Sequence, residues 1–253
     1  MKKHLLLLLS VLLILPVSTA NAGGGGAELE PQQWAFSGPF GTFDRAALQR
    51  GLKVYREVCA ACHGMKRIAF RNLEDLGYDE SQTKAIAAEY TVIDGPDDEG
   101  EMFERPARPS DRFPSPYAND NQAKSANNNA LPPDLSLITK ARPNGSDYLY
   151  AILTGYEEAP HGQELLEGQY YNKYMSGHII AMPPPLSDDQ VSYEDETPQT
   201  VEQYSKDVTE FLTWAAEPSM EDRKRMGIKV LIFLLVFAGV MYRIKKKVWA
   251  NVH

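Results

Sequence analysis

The residues best equipped for chemistry stand together at Cys59, Ala60, Ala61, Cys62 and His63. Two cysteines three apart, with a histidine directly after, form the spacing that attaches a c-type haem. On one helical turn residues i and i+3 share a face, so both thiols can reach the vinyl groups of a single porphyrin. His63 then supplies a nitrogen to the iron. These are the only two cysteines among 253 residues. The competing uses are a disulfide, a redox-active pair, or half of a zinc site. A thioredoxin-like pair wants a βαβ context and structural zinc wants two further ligands at close spacing, and the chain offers neither.

A six-coordinate iron needs a second ligand, a methionine or a histidine. The candidates are Met65, Met102, Met175, Met182, His161 and His178. Met65 is too near His63 to reach the other face of a ring. Met182 lies in Ile179-Ile180-Ala181-Met182-Pro183-Pro184-Pro185-Leu186, with apolar residues before it and three stiffening prolines after it. That suits a thioether presented from a rigid extended loop, although a methionine in such a run is more often core filler. Met182 is the expected ligand and His178 the alternative.

Supporting residues emerge from the same chemistry. Asn127 to Ser136 has no helical period and carries Pro132 and Pro133 in succession. A metal-bound histidine usually donates its other ring nitrogen, and the carbonyl of Pro132 or Pro133 is the candidate acceptor. A buried haem must have its propionates compensated. Arg142, with its planar guanidinium, and Tyr148 or Tyr156 are placed to do so.

The elements that would position these groups are mostly helical. Apolar residues at i, i+3 and i+4 predict a helix from Asp44 to Cys62, capped by Thr42 or Asp44. Weaker patterns predict helices over Asp79 to Tyr90 and Ser146 to Thr154, the latter stopped by Gly155. A clear one spans Thr200 to Ala216 and should pack on the first. From Asp94 to Tyr117 five prolines among many acids read as a long surface loop. A second acidic cluster, Asp188 to Glu196, is expected near the haem rim because it lies close to Met182 in the chain.

The two ends carry export and anchoring signals. Lys2 and Lys3, the apolar run Leu5 to Leu15 and Ala20-Asn21-Ala22 form a signal peptide over residues 1–22, too short to span a bilayer. Met226 to Tyr242 is apolar except for Lys229 and flanked by Arg223-Lys224-Arg225 and Arg243 with Lys245 to Lys247. It reads as a transmembrane anchor, leaving 243–253 as a cytoplasmic tail. The body between, residues 23–220, holds 16 basic against 32 acidic residues, a net charge of −16. That acidity excludes nucleic acid as a partner.

The Gly51 to His63 stretch, the Asn129 to Ser136 loop, the Met182 polyproline loop and the single C-terminal anchor together resemble the cytochrome c1 family in its bacterial form. This family supplies the haem subunit of quinol-cytochrome c reductase, the bc1 complex. The resemblance implies a mainly α fold: a single-haem, cytochrome c-like helical domain with long loops and one C-terminal transmembrane helix. It implies one covalent haem c held by Cys59 and Cys62, with His63 and Met182 on the iron. Arg142 and the Leu131 to Leu135 loop, with Pro132, Pro133 and Leu135, would line the pocket. As the electron-transfer subunit, with no bond-making catalytic residue of its own, the chain would take electrons from a Rieske iron-sulfur protein. It would pass them to a cytochrome c while anchored beside cytochrome b in a dimeric complex. The haem domain would face the periplasm from the bacterial inner membrane. A haem c subunit of a terminal oxidase, or a free-standing anchored electron shuttle, would share the motif and the anchor. The chain departs from some bacterial members in lacking a further cysteine pair to brace the ligand loop.

Overall fold

Asp44 ends an extended stretch and caps the first helix, its carboxylate accepting the Ala46 amide at 3.0 Å. In the computed structural model, which describes residues 27–251, the α-helices run α1 (Arg45–Glu57), α2 (Glu80–Ala88), α3 (Asp120–Ala126), α4 (Ile138–Ala141), α5 (Gly145–Thr154), α6 (Val201–Ala216) and α7 (Met220–Val248). Short 3-10 turns cover Cys59–Ala61, Phe70–Leu76 and Leu135–Leu137. Two antiparallel hairpins complete the set: β1 (Thr91–Asp94) with β2 (Phe103–Pro106), and β3 (Tyr170–Tyr171) with β4 (Ile179–Ile180). The segment expected to be a signal peptide lies outside the described residues. The fold is mainly α, as the sequence pattern implies.

Helices α1 and α6 form the spine. They approach so closely at Gly51 that a Cβ there would sit 2.1 Å from the Asp207 carbonyl oxygen and 2.6 Å from Phe211 Cβ. Only glycine permits that contact. Around it Tyr55, Tyr204, Phe211 and Trp214 are fully buried, with the Tyr55 ring 5.9 Å from Phe211 and 6.0 Å from Phe113. One charged network crosses the same interface. Asp207, 1% exposed, takes both Nε and Nη2 of Arg50, at 2.9 and 3.0 Å, plus the Tyr193 hydroxyl at 2.9 Å. A buried carboxylate is tolerated because its lone pairs are filled.

Several expectations are corrected. The first helix ends at Glu57, ahead of the cysteines, and the chain tightens into a 3-10 turn in which the Cys62 and His63 amides both donate to the Cys59 carbonyl. The Tyr55 hydroxyl, donating to the His63 carbonyl at 3.1 Å, folds that turn back over α1. The Asp94–Tyr117 segment is not all loop. Val92, Ile93 and Phe103 are strand formers, and Arg105 holds their hairpin by pairing with Asp94 and Asp111. Helices α3 and α4 have no counterpart in the sequence pattern; both are too short for periodicity to register.

The C-terminal helix, 29 residues long, exceeds the expected span at both ends. At ~1.5 Å per residue it covers about 43 Å. An 18-residue window within it has mean hydropathy 2.0, and none of that window is buried, so it is long and apolar enough to cross a membrane.

Candidate cofactor site

The CxxCH turn after α1, the loop before α4, helix α5, the β3–β4 hairpin and the inner side of α6 enclose a cavity of about 620 Å³. Its size suits a cofactor. Cys59, Cys62, His63, Pro132, Pro133, Leu135, Arg142, Tyr148 and Met182 all line it, so the residues singled out in the sequence are gathered on one surface.

The His63 side is stitched down residue by residue. Nδ1 lies 2.8 Å from the Pro133 carbonyl oxygen. A carbonyl can only accept, so Nδ1 carries the proton and Nε2 is left with its lone pair. Of the two prolines considered, Pro133 is therefore the acceptor. Its carbonyl is fixed because the loop is pinned on both sides. The Leu135 amide donates to Gly64 O at 2.8 Å, and Asp134 accepts the Lys66 and Ser136 amides at 2.9 and 3.0 Å. Burial lowers the His63 pKa, with the Pro133 bond and Asp134 opposing, which favours the neutral ring that a metal requires. Burial pushes the Cys59 thiol up to about 12, with Cys62 adding to the effect. A reactive redox pair needs a depressed thiol pKa, so this environment disfavours that use of the motif.

The Met182 side corrects two expectations. His178 does not line the cavity. It sits at a left-handed φ of 60°, its ring stacked 5.6 Å from Tyr171. Tyr156 is not on the wall either; its hydroxyl donates to the Met182 carbonyl at 3.0 Å. Met175 does reach the wall, but its sulfur already accepts the Tyr148 hydroxyl at 3.6 Å. The acidic cluster 188–196 lies off the cavity: Asp195 and Glu194 pair with Arg50 and Lys53 of α1, and Asp188 accepts the Val201 amide.

Sequence reasoning missed part of the wall. Leu149, Ile152, Val208 and Leu212 belong to apolar helix faces recognisable as such, but period alone does not say whether a face meets other side chains or a cofactor. Tyr170 lies in a stretch without periodic signal.

The donor set fits a porphyrin. The walls are largely aliphatic and proline, while Arg142 and Asn128 provide polar groups for carboxylate tails; the Tyr148 hydroxyl already donates to Met175, and the Asn127 amide to Tyr117 and Ala123. A model of the family described as "Cytochrome C1 family" matches residues 34–252. The chain belongs to the cytochrome c1 family. It is 46% identical over 249 residues to "Cytochrome c1" of Rhodospirillum rubrum, covering 92% of each chain. It is 51% identical over 222 residues to "Cytochrome c1 1, heme protein, mitochondrial" of Arabidopsis thaliana, covering 88% of this chain and 72% of the relative. It is 55% identical over 256 residues to "Cytochrome b/c1" of Bradyrhizobium diazoefficiens. That match covers 92% of this chain but only 37% of the longer relative. Cytochrome c1 is the haem-bearing electron-transfer subunit of the bc1 complex, and the aliphatic cavity beside the CxxCH turn is the part of this fold suited to that group.

Proposed function

We propose that the chain accepts single electrons from a Rieske iron-sulfur protein and passes them to a c-type cytochrome, with one haem c in the cavity. The observation that carries this reading is the convergence of the Cys59 and Cys62 thiols, the His63 ring and the Met182 loop on one aliphatic cavity, in a chain of this family. Bound there, haem c supplies a one-electron couple whose potential methionine–histidine ligation raises.

The protein's part is to attach, orient and exclude water. Cys59 and Cys62 would form the two thioethers. His63, whose Nε2 lone pair is freed by the Nδ1 bond to the Pro133 carbonyl, and the Met182 sulfur would hold the iron. Arg142 would compensate the propionates, joined by Tyr148 once its hydroxyl turns from Met175. Pro132 and Leu135, on the cavity wall, would exclude solvent. The name "Cytochrome b/c1" borne by one relative supports cytochrome b as a neighbour.

In this reading residues 1–22 export the chain, 23–220 form the periplasmic haem domain, 226–242 lie in the inner membrane and 243–253 face the cytoplasm. The complex is a dimer.

Two measurements test the proposal. Denatured protein washed with acid acetone should keep its colour, because thioether bonds survive that treatment. Met182→Leu should abolish the weak iron–sulfur charge-transfer band and lower the reduction potential; an unchanged spectrum would remove Met182 from the ligand set. Co-purification of the anchored chain with a b-type cytochrome and a Rieske centre separates the bc1 assignment from an oxidase subunit or a free-standing shuttle.

A further inference from the structure

Loop 181–186, which carries Met182, has no covalent brace, since both cysteines belong to the CxxCH motif. It also has little regular structure: β3 and β4 pair over two residues each, Tyr170 with Ile180 and Tyr171 with Ile179. Stiff prolines hold the loop's own shape. They do not say where it sits relative to the cavity.

A ring of hydrogen bonds does. Helix α5 ends at Gly155, where a Cβ would come 2.5 Å from Tyr174 Cδ2 and 3.0 Å from Asn172 Oδ1. That close approach lets the fully buried Asn172 donate from Nδ2 to the Ile152 carbonyl at 2.8 Å while the Lys173 amide donates to Gly155 O at 3.0 Å. The Asn172 amide in turn donates to the His178 carbonyl at 3.0 Å, tying the hairpin to the end of α5. Tyr156, the next residue after Gly155, closes the circuit by donating its hydroxyl to the Met182 carbonyl at 3.0 Å.

We propose that Tyr156 is a positioning residue for the Met182 sulfur: its hydroxyl fixes the ligand loop against α5 and so stabilises the bond from Met182 to iron. The inference rests on the reading of Met182 as a ligand. Helix α5 itself lines the cavity through Leu149, Ile152 and Leu153, so the tether references the ligand loop to one wall of the cavity.

The test uses the full-length, haem-loaded chain with Tyr156→Phe, which removes the donor and keeps the ring. Covalent haem and the His63 side should be intact. The charge-transfer band should weaken, and carbon monoxide, which competes with the sulfur for ferrous iron, should bind about fivefold more tightly, the loss expected for one hydrogen bond. Wild-type carbon monoxide affinity and an undiminished band in the variant would overturn the tether. If instead the wild type lacks the band, or Met182→Leu keeps it, the ligand assignment fails, and those results are distinguishable from failure of the tether alone. Should Tyr156→Phe fail to assemble with haem, 4-aminophenylalanine and 4-methylphenylalanine at position 156 fill the hydroxyl's space with and without a donor. The amino variant should then bind carbon monoxide like the wild type and the methyl variant more tightly; equal binding by the two refutes the proposal.

Discussion

Asp207 illustrates how a single side chain can hold two helices and a loop at once. Its carboxylate accepts Arg50 of α1 through two bonds, Tyr193 from the segment before α6, and Gln203 at 3.0 Å. Burial by itself would lower the Arg50 pKa, but Asp207 and Asp195 outweigh it and keep the guanidinium charged. Removing the carboxylate leaves a half-buried cation with only Asp195 and a buried phenol with no acceptor. Asp207→Ala should therefore cost about 3 kcal/mol, in the range for breaking a buried pair. Urea unfolding followed by far-UV circular dichroism measures it, and a loss of no more than ~0.5 kcal/mol would show that the network contributes nothing net. His63 uses a single contact differently: its hydrogen bond to Pro133 decides which ring nitrogen is available.

At the scale of elements, the β1–β2 hairpin depends on ionised carboxylates. Hydrogen bonds from Arg105 hold the pKa of both Asp94 and Asp111 below the usual value. A group whose folded pKa is depressed contributes stability above its unfolded pKa of ~3.9, and loses it as pH falls through the folded value. Amide hydrogen exchange over residues 91–106, corrected for its intrinsic pH dependence, should accelerate below about pH 4 in the wild type. With Arg105→Gln it should already be fast at neutral pH; an identical profile in the two proteins would refute the clamp. This hairpin also marks the limit of what the sequence disclosed. Helix α6 could be read within a residue of its ends, because one face repeats over 16 residues; α1 could not, since its apolar stripe runs on toward the CxxCH motif while the helix stops at Glu57. Strands of four residues interrupted by acids and prolines carry too few repeats, and their pairing is decided by Arg105, which reaches residues 6 and 11 positions away. The site was legible for a different reason. Its motif residues are chemically unusual, whereas the aliphatic wall from α5 and α6 looks like any core. Tyr156 is recognisable as a polar group near the site, but its bond to a residue 26 positions on depends on the fold.

The whole molecule combines an acidic body with a basic, apolar helix, and each half makes its own prediction. The −16 charge of residues 23–220, with Asp97, Asp98, Glu99 and Glu101 exposed in the β1–β2 connection, favours a basic redox partner. Its second-order rate of electron transfer should fall about tenfold between ~0.05 and ~0.5 M ionic strength; a flat profile would exclude steering. The helix α7, for its part, does not simply begin where the body stops. Met220 is buried in the core, Glu221 accepts the Phe43 amide at 2.9 Å and pairs with Arg45 at 3.0 Å, and Lys224 donates to the carbonyls of Phe36 and Gly41 at 2.6 and 3.0 Å. From Met226 onward, by contrast, the helix is almost wholly exposed. A chain ending at Arg225 should therefore give a water-soluble haem domain of unchanged thermal stability. One ending at Ser219 loses about 2 kcal/mol of contacts and should melt roughly 6 °C lower, as expected for a domain near 200 residues. Equal melting temperatures for the two truncations would mean that the first turns of α7 belong to the anchor alone, and that the body and the membrane helix are joined by nothing more than the chain.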